Sequence, residues 1–165
     1  MSTVAVTGSF DPITIGHLEI IRRAKAIFDK VVVLILDNPQ KKYILDIESR
    51  VLLCREATSD LEGVEVCYYD GYAVEYCLTH SISAIVRGIR NSQDYEYEKW
   101  LESENRKIGE IETVYLHADS EYVEVSSTKA RQMLVEGDTS IIPVSRQTIE
   151  KVWRETYGKP NESNR

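Results

Sequence analysis

The sequence lacks the features that mark membrane, disulfide-rich and nucleic-acid-binding proteins. No apolar run approaches the ~20 residues of a membrane helix, and the first residues show no charged and then apolar leader. The three cysteines, Cys54, Cys67 and Cys77, are odd in number and show no C-x-x-C spacing, so neither a disulfide framework nor a cysteine zinc site is indicated. The net charge of -7 without a basic stripe argues against nonspecific binding of nucleic acid. We therefore expect a cytoplasmic protein that binds neither membranes nor nucleic acid.

The common phosphate-binding loops are also missing. There is no G-x-G-x-x-G, and no Lys-Ser or Lys-Thr follows Gly16 as a Walker A loop requires. What is present is Gly8-Ser9-Phe10-Asp11-Pro12-Ile13-Thr14-Ile15-Gly16-His17, between an apolar run and a helical pattern. A loop that leads into a helix N-terminus can bind an anion, and His17 in the first helical turn can point at it. The alternative is an ordinary strand-loop-helix turn with a capping Thr14 and a solvated His17.

The remaining chain alternates apolar runs with helical patterns, and its 165 residues suffice for one core but are short for two. We predict a single-domain, Rossmann-like α/β fold with a five-stranded, parallel, doubly wound sheet and extra C-terminal helices. Residues 1–157 form this domain and 158–165 a polar C-terminal tail. We expect the second helix to end at Gly63. The predicted strands cover residues 3–7, 31–36, 64–68, 83–86 and 113–116, and the predicted helices cover residues 17–28, 46–61, 72–80, 93–108, 126–134 and 147–157.

Three further segments carry groups that bind phosphate, and each follows a predicted strand. They are Lys41-Lys42, Arg87-Gly88-Ile89-Arg90 and Ser126-Ser127-Thr128, with Arg131 one turn beyond the last. Because the carboxyl ends of parallel strands lie at one sheet edge, we expect these segments to converge with the loop of residues 8–17. Solvated lysines and plain helix N-capping remain the alternatives for the first and third segments. His80 and His117 lack metal-ligand neighbours in sequence, and we interpret both as structural.

With these residues assembled, the chain resembles the bacterial phosphopantetheine adenylyltransferase family of the nucleotidyltransferase superfamily. Thr14-x-Gly16-His17 resembles the (H/T)-x-G-H signature of that superfamily. The match runs almost from end to end and is most specific in the Arg-Gly-x-Arg and Asp-x-Glu-Tyr-Glu pair. Its segments are Gly8 to His17, the Lys41-Lys42 loop, Ile85 to Arg90, Asp94-Tyr95-Glu96-Tyr97-Glu98, Asn105-Arg106, Glu112-Thr113-Val114 and Ser126-Ser127-Thr128.

The resemblance implies transfer of the adenylyl group of ATP to 4'-phosphopantetheine, giving dephospho-coenzyme A and pyrophosphate in coenzyme A biosynthesis. It implies a homohexamer that uses Mg²⁺, held mainly by the triphosphate and with no metal-ligating residues of the protein assigned. The implied catalytic residues are His17, Lys41 and Arg90. The implied ATP-binding residues are Ser9, Phe10, His17, Gly88, Ile89, Arg90, Glu98, Tyr122, Val123, Glu124, Val125, Ser126, Ser127 and Thr128. The implied acceptor-binding residues are Ser9, Lys41, Ala73, Arg87, Leu101 and Asn105.

Three departures from the family pattern concern the arm of the acceptor. Tyr72-Ala73 replaces larger aliphatic residues, and Glu102 and Glu104 stand where the family has small or apolar ones. A carboxylate facing an apolar arm is unfavourable, so we expect both acids to face solvent or to pair with cations such as Arg106 or Lys107.

Two other functions remain open at this point. One is adenylyl or cytidylyl transfer to another phosphorylated acceptor, such as nicotinate mononucleotide, because Ser126-Ser127-Thr128-x-x-Arg131 also resembles a motif of that adenylyltransferase family. The other is a noncatalytic adenine-nucleotide sensor, which would keep the phosphate-binding residues without turnover.

Overall fold

Five β-strands alternate with helices in the computed structural model, which describes residues 1–158. The strands are β1 (Thr3–Gly8), β2 (Lys30–Leu36), β3 (Val64–Tyr69), β4 (Ala84–Ile89) and β5 (Glu112–His117). The helices are α1 (Ile15–Ile27), α2 (Ile47–Ala57), α3 (Ala73–Thr79), α4 (Ser92–Ile108), α5 (Ser127–Val135) and α6 (Arg146–Gly158), with a short 3₁₀ turn at Ser120–Tyr122.

The strands form one parallel sheet in the order β3-β2-β1-β4-β5. The chain runs outward from β1 to β3 and then crosses to the other side of β1 for β4 and β5. Such a change of direction leaves a crevice outside the carboxyl ends of β1 and β4, where open α/β sheets bind their ligands. The predicted fold class, a Rossmann-like doubly wound sheet with C-terminal helices, is confirmed.

Both faces of the sheet are covered, as continuous apolar strands require. On one face Val4, Val6 and Val33 pack against α1, α2, α5 and α6. On the other face Ala5, Leu34 and Ile85 pack against α3. Alternate residues of β1 therefore enter different cores, and the central strand fixes the position of the loop that follows it.

Two predicted boundaries differ from the structure by three or more residues. Helix α2 ends at Ala57, not at Gly63, because Thr58 caps it and returns its hydroxyl to the Cys54 carbonyl oxygen at 2.8 Å. Gly63, with φ of 77°, instead makes the turn into β3. Strand β4 continues beyond the predicted end at residue 86, so that Arg87 lies within the sheet.

The predicted tail of residues 158–165 lies outside the described residues, except for Gly158, the last residue of α6. Within residues 1–158, no helix combines the length and the apolar character needed to cross a bilayer.

Candidate active site

A cavity of about 480 Å³ lies at the carboxyl edge of β1 and β4. All four predicted phosphate-binding segments reach it. The sequence-predicted residues in its wall are Ser9, Phe10, His17, Lys41, Arg87, Gly88, Arg90, Glu98, Tyr122, Val125, Ser126, Ser127 and Thr128. The structure therefore brings together segments separated by more than 100 positions in the chain.

The loop after β1 is held by its own residues and by the loop after β2. Phe10 adopts a left-handed backbone with φ of 48°, a conformation that costs about 1 kcal/mol for a residue with a side chain. Its ring is buried and meets the His17 ring edge to face, with centroids 5.0 Å apart. The buried Asp11 carboxylate accepts hydrogen bonds from the backbone N–H groups of Ile44 and Leu45, both at 2.8 Å. The loop is thus fixed before any ligand binds.

His17 is oriented by the start of α1. Its Nδ1 accepts a hydrogen bond from the Thr14 backbone N–H at 3.0 Å, while the Thr14 hydroxyl caps the His17 backbone N–H. Nδ1 therefore carries no proton, and in the neutral ring the proton is on Nε2. Burial, Arg87 and Arg90 lower the pKa of His17 from 6.5 to about 4. At neutral pH the ring is an uncharged donor in the cavity wall.

Arg87 is held by two elements. Its Nε and Nη2 donate to the two carboxylate oxygens of Glu98 at 2.8 and 2.6 Å. Its Nη1 donates to the carbonyl oxygen and, at 3.0 Å, to the hydroxyl of Thr7. The Glu98 side chain is 8% exposed and the Arg87 side chain 20%. Glu98, predicted as an ATP contact, thus first orients Arg87 from α4.

Arg90 has a similar arrangement. Its Nε and Nη2 donate to the Asp94 carboxylate at 2.8 and 3.1 Å, and its Nη1 donates to the Val125 carbonyl oxygen at 3.0 Å. The hydrogen bond to Asp94 raises the pKa of Arg90 above its ordinary value. The guanidinium is therefore charged and fixed between α4 and the segment before α5.

The hydroxyls at the start of α5 already have partners. Ser126 accepts from the Lys129 backbone N–H at 3.1 Å, as the capping alternative proposed. Ser127 donates to the Pro12 carbonyl oxygen at 2.9 Å, and Arg131 donates to the Asp11 carbonyl oxygen at 2.7 Å. These contacts join α5 to the loop after β1.

A second cavity of about 770 Å³ adjoins the first. It contains the predicted arm residues Ala73, Leu101 and Asn105. The two cavities share wall residues at their junction, among them Ser9, Lys41, Arg87 and Glu98. A ligand group at this junction would contact both compartments.

The two acidic departures pair with cations, as predicted. Arg106 donates to Glu102 at 3.1 Å and Lys107 to Glu104 at 2.6 Å. The Tyr115 hydroxyl also donates to Glu102, at 2.8 Å. Both acids nevertheless belong to the wall of the second cavity. The departures therefore change the polarity of that wall without leaving bare carboxylates.

Three predicted ATP residues lie outside the cavity walls. Ile89 is 3% exposed and belongs to the core, and Val123 and Glu124 are absent from both walls. Gly88 lines the first cavity, but a Cβ there would lie 2.9 Å from Cγ1 of Ile20. Glycine at 88 is thus required for packing against α1, whatever else it allows.

Sequence reasoning missed Arg50, whose side chain is 1% exposed. The signal was present, because position 50 lies three residues after Ile47 and four before Cys54, on the apolar face of α2. A cation on such a face needs specific partners in the folded protein.

In the part of the chain that the structure describes, no three His, Cys, Asp or Glu side chains form a group that could hold a metal ion.

A Rossmann-like sheet with oriented cations and helix N-termini at its switch point has the arrangement of a nucleotide-binding α/β enzyme. The chain belongs to the cytidylyltransferase-like family, which matches residues 5–133, and is a nucleotidyltransferase-type enzyme.

Two solved structures share its fold. One is a lipopolysaccharide core biosynthesis protein from Thermoplasma volcanium GSS1, 23% identical, with a TM-score of 0.55, covering 73% of this chain and 99% of that one. The other is a bifunctional NMN adenylyltransferase/ADP ribose pyrophosphatase from Francisella tularensis, 17% identical, with a TM-score of 0.66. That match covers 95% of this chain and 52% of the other.

Proposed function

We propose that the protein transfers the adenylyl group of ATP to 4'-phosphopantetheine, releasing pyrophosphate and forming dephospho-coenzyme A. One observation carries the proposal: the two cavities meet at Ser9, Lys41 and Arg87. An acceptor phosphate bound there by Lys41 and Arg87 would face the nucleotide in the first cavity. The group attached to that phosphate would occupy the second cavity.

The volume and the wall of the second cavity support an acceptor that is larger than a phosphate. Its volume of about 770 Å³ exceeds what a phosphate alone would fill. Its wall combines apolar and polar groups, with Leu101 and Trp100 beside Asn105 and Glu102. A pantetheine arm carries amides between short apolar stretches, and such a wall suits both parts.

In the proposed reaction an oxygen of the acceptor phosphate attacks the α-phosphorus of ATP in line with the leaving pyrophosphate. One P–O bond forms, the bond to the bridging α,β-oxygen breaks, and no covalent enzyme intermediate is needed. Catalysis then depends on positioning and on charge stabilisation. His17 Nε2–H donates to the α-phosphoryl oxygens as they gain charge, and Lys41 and Arg90 offset that charge.

Mg²⁺ enters as part of the substrate, bound to the triphosphate. When bound, it neutralises the charge on the phosphates. The protein supplies the fixed cations and the neutral imidazole.

A pyrophosphate-release assay tests the proposal directly. We would measure kcat/KM for 4'-phosphopantetheine, nicotinate mononucleotide and glycerol 3-phosphate, each with Mg-ATP and with Mg-CTP. We expect the highest value for 4'-phosphopantetheine with ATP. A higher value for another acceptor would show that Ala73, Glu102 and Glu104 mark a changed acceptor. A higher value with CTP than with ATP would refute the proposed nucleotide.

No release above background with any pair would instead favour a nucleotide sensor. Isothermal titration calorimetry with a nonhydrolysable ATP analogue distinguishes a sensor from an unfolded preparation, because a sensor still binds the analogue. Sedimentation measurements on the same sample test the homohexamer, which we propose from the family resemblance.

A further inference from the structure

Arg50 carries a charge where the fold offers almost no water. It belongs to α2, yet its side chain is 1% exposed and ranks among the largest fully buried side chains of residues 1–158. A buried guanidinium is unfavourable by several kcal/mol unless hydrogen bonds and an anion compensate it. Its partners therefore show what the burial achieves.

Those partners come from two different strand ends. Nη1 donates to the Ser9 carbonyl oxygen at 3.1 Å, just after β1, and to the Leu36 carbonyl oxygen at 3.4 Å, the last residue of β2. Nη2 donates to the Asp37 carboxylate. One planar group thus joins the loop after β1 to the loop after β2, a geometry that lysine cannot reproduce.

Tyr43 extends this connection to the tip of the second loop. Its ring lies against the guanidinium of Arg50, with 3.9 Å between the ring centroid and Cζ. Its hydroxyl accepts from the Asn38 backbone N–H at 2.9 Å and donates to the Leu36 carbonyl oxygen at 3.4 Å. We call the segment from residue 36 to residue 43 the Lys41 loop. The Tyr43 hydroxyl at its end therefore hydrogen-bonds to the backbone at its start.

The tip of the Lys41 loop is left exposed. Lys41 donates its backbone N–H to the Asn38 carbonyl oxygen at 3.0 Å. Its ammonium and that of Lys42 form no ion pair within residues 1–158, and both side chains border the first cavity. The backbone of the Lys41 loop is thus held by hydrogen bonds, while the Lys41 ammonium is available to a ligand.

We propose that Arg50 and Tyr43 are positioning residues that hold Lys41 at a fixed position relative to Ser9 in the loop after β1. This inference rests on the proposed function and assigns these two residues a part in it. A cation displaced by even 1 Å from a transferring phosphoryl group loses much of its effect, since the gain depends on a fixed geometry.

The test compares Tyr43→Phe with wild type in the pyrophosphate-release assay. The substitution keeps the ring over Arg50 and removes only the hydroxyl. We expect kcat/KM for the acceptor to fall about tenfold, as the loss of one or two hydrogen bonds predicts, with KM for ATP changed less than about twofold. Tyr68→Phe is the control for loss of a tyrosine hydroxyl elsewhere, because Tyr68 is 61% exposed on β3 and, unlike Tyr43, absent from both cavity walls.

A double-mutant cycle with Lys41→Ala distinguishes positioning from a general structural role. If Tyr43 acts through Lys41, Tyr43→Phe has little further effect once Lys41 is absent. Equal fold losses in both backgrounds would overturn the inference. Arg50→Lys should resemble Tyr43→Phe with a larger loss, and if that variant does not fold, Tyr43→Phe still decides the matter.

Amide hydrogen exchange supplies a readout that does not need turnover. In Tyr43→Phe the Asn38 amide should exchange at least about fivefold faster than in wild type, because its acceptor is gone, whereas Tyr68→Phe should leave it unchanged. Unchanged exchange would refute the loop closure. If wild type itself released no pyrophosphate, the proposed function would fail and the exchange result alone would judge the loop.

Discussion

The sharpest prediction concerns His17 and its proton. Replacing it with alanine removes the Nε2–H donor from the first cavity and the Nδ1 acceptor of the Thr14 N–H. Removing one preorganised donor to a developing oxyanion lowers kcat by about 10²-fold or more, and KM for ATP should change little. Equal losses in ATP affinity and in kcat/KM would refute the assigned role.

The same residue predicts how stability changes with pH. The pKa of His17 is about 4 in the folded protein and 6.5 in the ordinary reference state. Because the folded pKa is the lower one, the unfolded chain takes up this proton first as the pH falls. The free energy of unfolding therefore changes little above pH 6.5. It falls by about 3 kcal/mol between pH 6.5 and 4, and about 2 kcal/mol of this is lost by pH 4.5.

Urea unfolding at pH 7 and pH 4.5 measures this effect without any substrate. At pH 7 His17→Ala should be about 0.5–1 kcal/mol less stable than wild type, since one half of the capping box is lost. At pH 4.5 it should be the more stable of the two. His80→Ala is the control, because His80 lies at the exposed end of α3. A parallel pH dependence of wild type and His17→Ala would contradict the lowered pKa.

Three further variants test the cavity walls. Glu98→Gln leaves the partly buried Arg87 without its carboxylate and should lower the free energy of unfolding in urea by about 3 kcal/mol; a change below about 1 kcal/mol would contradict the buried pair. Gly88→Ala forces a Cβ to within 2.9 Å of Ile20 and should lower the melting temperature through about 1–3 kcal/mol of overpacking. In an Ile20→Ala background the same Gly88→Ala substitution should cost less than in wild type, because Cγ1 of Ile20 is then absent. Lys41→Ala should lower kcat/KM for the acceptor by about 10²-fold in the pyrophosphate assay, because Lys41 is assigned both acceptor binding and charge stabilisation. Its free energy of unfolding should stay within about 0.5 kcal/mol of wild type, because Lys41 is exposed.

The sheet could be predicted because its strands carry their signal locally. The run from Val31 to Leu36 is continuously apolar and rich in β-branched residues, as expected of a strand covered on both faces. The end of α2 could not be predicted as readily, because a glycine turn and a hydroxyl cap are competing stop signals. Here Thr58 ends the helix and Gly63 serves the next turn.

The sequence could predict which chain segments meet at the first cavity, but not how the side chains there pair with one another. The sequence predicted that Arg87 and Arg90 follow a strand; the structure places Arg87 inside β4 and Arg90 just after it, and both line the first cavity. The sequence did not show that each arginine pairs with a carboxylate of α4, because Glu98 was assigned to ATP binding and Asp94 only to a family motif. Such pairing depends on the distance between a strand and a helix, which periodicity does not report.

The paired arginines have a consequence for how tightly a phosphate can be held. A free arginine side chain loses about 2 kcal/mol of rotamer entropy when it is immobilised. Glu98 and Asp94 immobilise Arg87 and Arg90 during folding. The loss of rotamer entropy therefore lowers the stability of the protein and does not weaken its affinity for the ligand. The carboxylates also reduce the local positive charge, and the net charge of -7 gives the protein no long-range attraction for polyanions. Binding should thus depend on contact geometry at the cavity wall more than on electrostatic attraction from a distance.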